Sequence, residues 1–372
     1  MTQAVDPFAD IRPYNDDEVS ASIQRLVNDD AFIALIAKHN LPSWLVPFRS
    51  LLTPLLKRYL AKKWSKFKTI AQIQEVVAHY LGRVIDQTTS KVTFSGLEHL
   101  DKTQAYLFIS NHRDIALDPA LINWGLHTHQ MNTVRIAIGD NLLQIPYITE
   151  LMKLNKSFVV KRSVKAPKEM LRALSQLSAY IYDSLKSNNS IWIAQREGRT
   201  KDGDDQTDPA LLKMLQLNGR KQKMEFADYV RELKIVPVSI SYQFEPCAIA
   251  KAKERHHKST FGEYKKAAGE DIESIMEGFR SSKGHVHVAF GQPITSGCDS
   301  PEELAQTIDA QILSSYFLHP GNYLAANSDI EAIEPAQKEL FEQRMAQVPS
   351  ELKELVLAMY AKPVQKQLAQ HQ

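Results

Sequence analysis

Ser110-Asn111-His112-Arg113-Asp114-Ile115-Ala116-Leu117-Asp118-Pro119 joins a short apolar run, Tyr106 to Ile109, to an apolar-periodic run, Ala120 to Leu126. The first reads as a buried strand and the second as a helix. A histidine and two aspartates therefore fall at a strand-to-helix junction, where α/β proteins commonly place their chemistry. Asp118-Pro119 also reads as a helix N-cap followed by proline at the first helical position. An imidazole titrates near neutrality and can accept a proton at working pH when a carboxylate fixes its tautomer.

Around this junction the chain alternates short β-rich runs with helical stretches. The candidate strands are Lys91–Ser95, Tyr106–Ser110, Val134–Ile138, Phe158–Lys161, Ser190–Ala194, Ile235–Tyr242 and His285–Phe290. Helical periodicity covers Pro119–Leu126, Leu142–Leu154, Pro167–Lys186, Pro209–Leu217 and Glu225–Leu233 between them. The pattern predicts an α/β fold with a central, mostly parallel sheet flanked by helices. Pro237 inside a strand predicts an edge or a bulge.

The ends of the chain read differently. Residues 1–18 predict a disordered acidic lead, and Ser20–Lys38 a helix; Pro42, Pro47 and Pro54 predict turns. From Arg49 to Gln74 the charges are all basic: Arg49, Lys57, Arg58, Lys62, Lys63, Lys66 and Lys68. Leu51, Leu52, Leu55, Leu56, Tyr59, Leu60, Trp64 and Phe67 are spaced for one broad helical face. A basic amphipathic segment over 49–68 suits an anionic membrane surface, and it equally suits a helix packed on its own protein with solvated lysines. Pro301–Leu318, Ile333–Gln347 and Glu351–Ala361 predict C-terminal helices, with Pro363 ending or kinking the last. These patterns predict an N-terminal part (1–88), a core (89–296) and a C-terminal helical extension (297–372).

Composition narrows the classes. The 372 residues carry a formal net charge of +2, and the two cysteines, Cys247 and Cys298, provide neither a disulfide framework nor zinc spacing. A reducing, cytoplasmic compartment is the expectation, with the protein peripheral on the cytoplasmic face of a membrane. No apolar signal-peptide core and no uninterrupted spanning segment are visible. No nucleic-acid motif accompanies the basic run, so no nucleic-acid partner is expected.

Three further clusters follow His112 in order. Ser157-Phe158-Val159-Val160-Lys161-Arg162 is a strand ending in two cations. Ile191 to Ala194 runs into Gln195-Arg196-Glu197-Gly198-Arg199-Thr200, a charged turn. Ile235-Val236-Pro237-Val238 is an apolar strand holding a proline. Arginine forks suit phosphate oxygens, and Gly198 permits close backbone approach.

Together the four resemble the motifs of the glycerolipid acyltransferase family, which includes glycerol-phosphate and lysophosphatidate acyltransferases. Asn111-His112 with Asp118-Pro119, Val159-Val160-Lys161-Arg162, Arg196-Glu197-Gly198-Arg199-Thr200 and Val236-Pro237-Val238 occur in the family's order. Ser95-Gly96-Leu97-Glu98 and Phe290-Gly291-Gln292-Pro293-Ile294 flank them. The resemblance covers residues 90–296. It implies a transfer of a fatty acyl group from acyl-CoA or acyl-carrier protein, as co-substrate, to a hydroxyl of a glycerol phosphate or lysophosphatidate, with no cofactor and no metal. His112 would be the base, Asp118 or Asp114 its orienter, and Arg162, Glu197, Gly198 and Arg199 the acceptor-phosphate site.

Two departures stand out. Five residues separate His112 from Asp118 where the family has four, which keeps Asp114 open as a partner. Gly-Thr-Arg has become Gly198-Arg199-Thr200, which bears on the acceptor's head group. An acceptor other than a glycerol phosphate, and an inactive lipid-binding relative, are the alternatives. His112-Arg113-Asp114 also imitates the protein-kinase catalytic loop, but Pro119 stands where that motif needs asparagine. His285/His287 and His256/His257 lack carboxylate or cysteine companions and read as structural or exposed.

Overall fold

The computed structural model describes residues 6–40, 49–267, 269–328 and 333–370. In chain order the helices are α1 (Asp16–Asn28), α2 (Asp30–Asn40), α3 (Arg49–Trp64), α4 (Ile70–Thr88), α5 (Leu117–Thr128), α6 (Pro146–Leu154), α7 (Pro167–Lys186) and α8 (Pro209–Lys221). They continue with α9 (Phe226–Leu233), α10 (Ala248–Phe261), α11 (Glu270–Arg280), α12 (Pro301–Ser314), α13 (Pro320–Ala325), α14 (Pro335–Ala346) and α15 (Lys353–Gln370). The strands are β1 (Thr89–Ser95), β2 (Leu107–Ser110), β3 (Arg135–Gly139), β4 (Ser157–Val160), β5 (Ile191–Ala194), β6 (Ile235–Tyr242) and β7 (Gly284–Phe290). The residues form two compact units: 1–80 with 135–180, and 81–134 with 181–372.

The second unit holds the mostly parallel sheet. Its strands lie in the order β1-β7-β6-β2-β5. β2 pairs in parallel with both β5 and β6, and β1 with β7; β6 and β7 are antiparallel. Every residue of β2 and β6 is buried, and Leu107–Ile109 and Ile235–Val238 accordingly read as unbroken apolar runs, with Ser239 and Ser241 interrupting only the second half of β6. Pro237 is not on an edge. It precedes the first rung of the β6–β7 ladder, Val238 opposite Phe290, and its carbonyl accepts the Gly291 amide at 2.8 Å.

Two helix ends depart from expectation. α5 starts at Leu117, so Asp118 lies within the first helical turn rather than outside it. Asp114 takes the capping role, its Oδ1 accepting the amides of Ala116 and Leu117 at 2.9 and 2.8 Å. α15 runs through Pro363 to Gln370. Contacts from its last turns compensate the proline: Lys366 Nζ donates to Asp204 Oδ1, and Gln367 Nε2 to the carbonyls of Leu313 and Tyr316.

The first unit contains β3 paired in parallel with β4. Its core gathers Val19, Ile23, Leu26, Phe32, Ile33, Leu60 and Leu154. Within the predicted disordered lead, residues 6–18 are ordered: Ile11 is buried, and Arg12 pairs with Asp6 and Glu18. The first predicted helix divides at Asp29, whose Oδ1 accepts the Phe32 amide to start α2. Pro42 and Pro47 lie outside the described residues, whereas Pro54 is inside α3. The apolar residues of α3 occupy two faces, not one. Leu56, Leu60 and Trp64 pack on the core, while Leu55 and Tyr59 are 65% and 58% exposed among Arg58, Lys62 and Lys63. No helix among the described residues is long and apolar enough to cross a membrane.

Candidate active site

His112 follows β2 directly. Its Nδ1 lies 2.9 Å from Asp118 Oδ2, and Asp118 is wholly buried. The same oxygen accepts the amides of Arg113 at 2.6 Å and Asp114 at 2.9 Å; Oδ1 accepts the Tyr242 hydroxyl at 2.7 Å. Four donors therefore converge on one carboxylate, an arrangement that suits the ionised form. An ionised Asp118 places the imidazole proton on Nδ1 and leaves Nε2 as the acceptor. The imidazole meets the Trp192 ring edge-to-face, with centroids 5.8 Å apart, and the Trp192 indole N–H donates to Ser110 Oγ.

Asp114 faces elsewhere. Beyond its helix cap, its Oδ2 is buried without a hydrogen-bond partner in the protein and sits against Gly278 of α11, where a Cβ would come within 2.4 Å. Burial, with the neighbouring Asp118 charge, pushes its carboxyl above the usual range.

The residues beside the histidine are fixed from several segments. Asn111 bridges β2 to β6: its Nδ2 donates to the Ile240 carbonyl and to Asp205 Oδ2, and its Oδ1 accepts the Ile240 amide. Arg113 turns inward to Asp205 at 2.6 Å and Glu245 at 3.3 Å, with its guanidinium 5.5 Å from the Tyr316 ring centre. Lys251 of α10 completes the set, donating to Glu245 at 2.5 Å and to the Arg113 carbonyl at 2.6 Å. Two cations and two carboxylates thus balance in the interior, and removing one alone would leave a buried charge unpaired.

The third cluster is tied to the first. The Thr200 amide donates to the His112 carbonyl at 2.7 Å, and the Gln195 amide to that of Ser110 at 2.8 Å. Between them Gly198 has φ +77° with open space where a Cβ would stand, so backbone conformation alone selects glycine. Glu197 is exposed. Arg199 Nη2 donates to Ser274 of α11 at 3.3 Å, while Nη1 is buried without a partner in the protein, as is Thr200 Oγ1. On the far side α15 braces the loop: a Cβ on Gly203, at φ +80°, would stand 2.2 Å from the Met359 carbonyl.

Residues 91–242 match the family model described as Acyltransferase. They contain the His112–Asp118 pair, the Arg199 turn and β6. Residues 91–242 are an acyltransferase domain. No curated protein matches the sequence. Among solved structures it is similar to the 1-acyl-sn-glycerophosphate (LPA) acyltransferase PlsC from Thermotoga maritima, at 16% identity and a TM-score of 0.39, covering 80% of this chain and 97% of that one.

The acyltransferase domain brings His112, Asp118, Asp114, Glu197, Gly198 and Arg199 into the second unit; Arg162 lies in the first. There it follows β4, its amide donating to Asp140 Oδ1 at 3.1 Å and its side chain lying along Gly139, 3.1 Å from where a Cβ would be. Burial opposes ionisation of Asp140, but hydrogen bonds from Ser163 and the Arg162 amide prevail and hold it below the usual range.

Asn111 was legible only as part of a motif. Tyr242, Asp205, Glu245 and Lys251 were not singled out at all, because their part in the site depends on which segments the sheet brings together. His285 and His287 bond the hydroxyls of Thr93 and Ser95. Among the described residues no group of three or more histidines, cysteines or acidic side chains is placed to hold a metal ion.

Proposed function

We propose that this acyltransferase transfers a fatty acyl group from acyl-CoA or an acyl-carrier protein to a hydroxyl of a glycerol phosphate or lysophosphatidate. The observation carrying the reading is the His112–Asp118 contact through Nδ1, inside a matched acyltransferase domain. Nε2 of His112 takes the acceptor hydroxyl proton as the oxygen attacks the thioester carbonyl. Collapse of the tetrahedral intermediate breaks the C–S bond, and the imidazolium returns its proton to the leaving thiolate. Asp118 balances the imidazolium charge between the two steps. No serine or cysteine nucleophile is invoked, so transfer is direct.

Arg199 supplies the acceptor-phosphate contact, supported by its buried, unpaired Nη1. Glu197 and Gly198 shape the same turn. Arg162 carries the phosphate-binding assignment on its motif. The order Gly198-Arg199-Thr200 favours a second reading in which the acceptor is another lysolipid. The exposed Leu55 and Tyr59 with their neighbouring cations support contact between α3 and the cytoplasmic face of an anionic bilayer.

Release of free thiol from acyl-CoA and from acyl-carrier protein, measured against a panel of glycerol phosphate, lysophosphatidate and lyso-aminolipid, tests the reading. Acceptor-dependent release with the phosphorylated glycerols is expected. Release with the aminolipid alone would reject the acceptor assignment, and liposome binding without release would reject catalysis.

A further inference from the structure

Asp118 receives a donor that the family motif does not contain. Tyr242 ends β6, is 1% exposed, and donates its hydroxyl to Asp118 Oδ1 at 2.7 Å. The other oxygen is taken by His112 and two backbone amides. The amides arise from the same turn as Asp118 itself. Tyr242 reaches it from a different strand, 124 residues along the chain, and among the described residues its phenol is the one side-chain donor on Oδ1.

We infer that Tyr242 is a positioning residue of the acyltransferase, which sets the proton affinity of His112 by drawing charge from Asp118. The inference rests on the assignment of His112 as the base. A carboxylate that accepts a hydrogen bond presents less negative charge to its other partner. Without the Tyr242 hydroxyl, Asp118 would stabilise the imidazolium more strongly, and His112 would hold its proton to a higher pH. The phenol also fixes the carboxylate plane, keeping Oδ2 in line with Nδ1.

The surroundings leave this contact as the adjustable one. Among the described residues the charged and titratable groups around Asp118 and Tyr242 include His112, Asp114, Glu245 and Lys251, with Lys283 and Cys247 facing Asp114, and Arg113 and Asp205 in the adjoining ion-pair set. Arg113, Glu245, Lys251 and Asp205 are engaged with one another. Asp114 is held by the amides that start α5. Burial and the Asp118 charge keep the Tyr242 phenol well above its ordinary range, so it remains a donor wherever His112 titrates.

The test is the His112 imidazole titration, followed by ¹⁵N-histidine NMR in the full chain and assigned with H112A. Tyr242→Phe keeps the ring and deletes the donor. Its His112 midpoint should lie roughly 0.5–1 pH unit above that of the unsubstituted protein, a shift of the size one charge-assisted hydrogen bond can produce. The acidic limb of the kcat/KM profile should move by the same amount, and in a D118N background the substitution should move neither. An unchanged midpoint, or an equal shift in the D118N background, overturns the inference. If the unsubstituted enzyme releases no thiol with any acceptor, acyl transfer is refuted while the titration still judges Tyr242.

Discussion

Asp118→Asn and Asp114→Asn separate the two aspartates of the first motif. Four donors meet Asp118, at 2.9 Å from His112, 2.6 and 2.9 Å from two amides and 2.7 Å from Tyr242. An asparagine oxygen placed at Oδ2 keeps three of these, while its NH₂ group opposes the Tyr242 hydroxyl. Hydrogen bonds to a charged group are each worth about 1 kcal/mol more than neutral ones, so weakening three and losing the Tyr242 bond, worth about 2 kcal/mol, removes about 5 kcal/mol of gross interaction. Relief of a buried carboxylate offsets part of this, leaving a net loss of about 1–3 kcal/mol. The larger effect is on rate. The tautomer survives, but the imidazolium has lost its counter-charge, and kcat should fall by roughly 10²–10⁴-fold, the range supplied by a positioned base. In Asp114→Asn the oxygen still accepts the Ala116 and Leu117 amides, and a carboxyl already strained by burial becomes neutral. Stability should change by less than about 1 kcal/mol and kcat by less than about tenfold. Urea unfolding and thiol-release kinetics on both variants read these quantities. A greater loss of kcat in D114N than in D118N would refute the assignment of Asp118 as orienter.

Other outcomes follow from the same structure. Arg199→Ala should raise the acceptor KM about tenfold or more with a smaller change in kcat, as expected for a group binding phosphate in ground and transition state alike. An unchanged KM removes Arg199 from the site. Leu55→Glu with Tyr59→Glu should weaken flotation with anionic liposomes while leaving the unfolding midpoint nearly unchanged; undiminished flotation rejects α3 as the contact. His319 is pushed down to about 3 by burial beside His285 and His287, from an ordinary 6.5. The unfolded chain takes up this proton first, so stability is full above pH 6.5 and falls as pH drops towards 3, by up to ~1.4 kcal/mol per pH unit. His319→Asn preserves a cap for α13 and should flatten that slope by up to one proton, read from urea unfolding at several pH values. An unaltered slope assigns the acid loss to other groups.

How much could be read in advance differs between the sheet and the site. The strands among the described residues are visible as short runs rich in β-branched, aromatic and other apolar residues that the helical periodicity around them cannot absorb, and β6 spans Ile235–Tyr242 as its pattern predicts. Pro237 misled because a missing amide is harmless just before a ladder begins, which local rules cannot foresee. Pro363 misled for a related reason: Lys366 and Gln367 anchor the helix beyond it to segments far away in sequence. The motif spacing left Asp114 and Asp118 open as partners for His112. What separates them is the start of α5 at Leu117, which turns Asp118 back to its own turn and commits Asp114 to the amides of Ala116 and Leu117. The Arg113–Asp205–Glu245–Lys251 set left no trace in the sequence, since four ordinary charged residues become informative only when topology buries them together.

The most direct measurement is acceptor-dependent thiol release from acyl-CoA and acyl-carrier protein by the full chain and by His112→Ala, with folding checked by circular dichroism. Release with a phosphorylated glycerol acceptor that disappears in the folded H112A variant is expected. Release by H112A at the rate of the unsubstituted protein would contradict this.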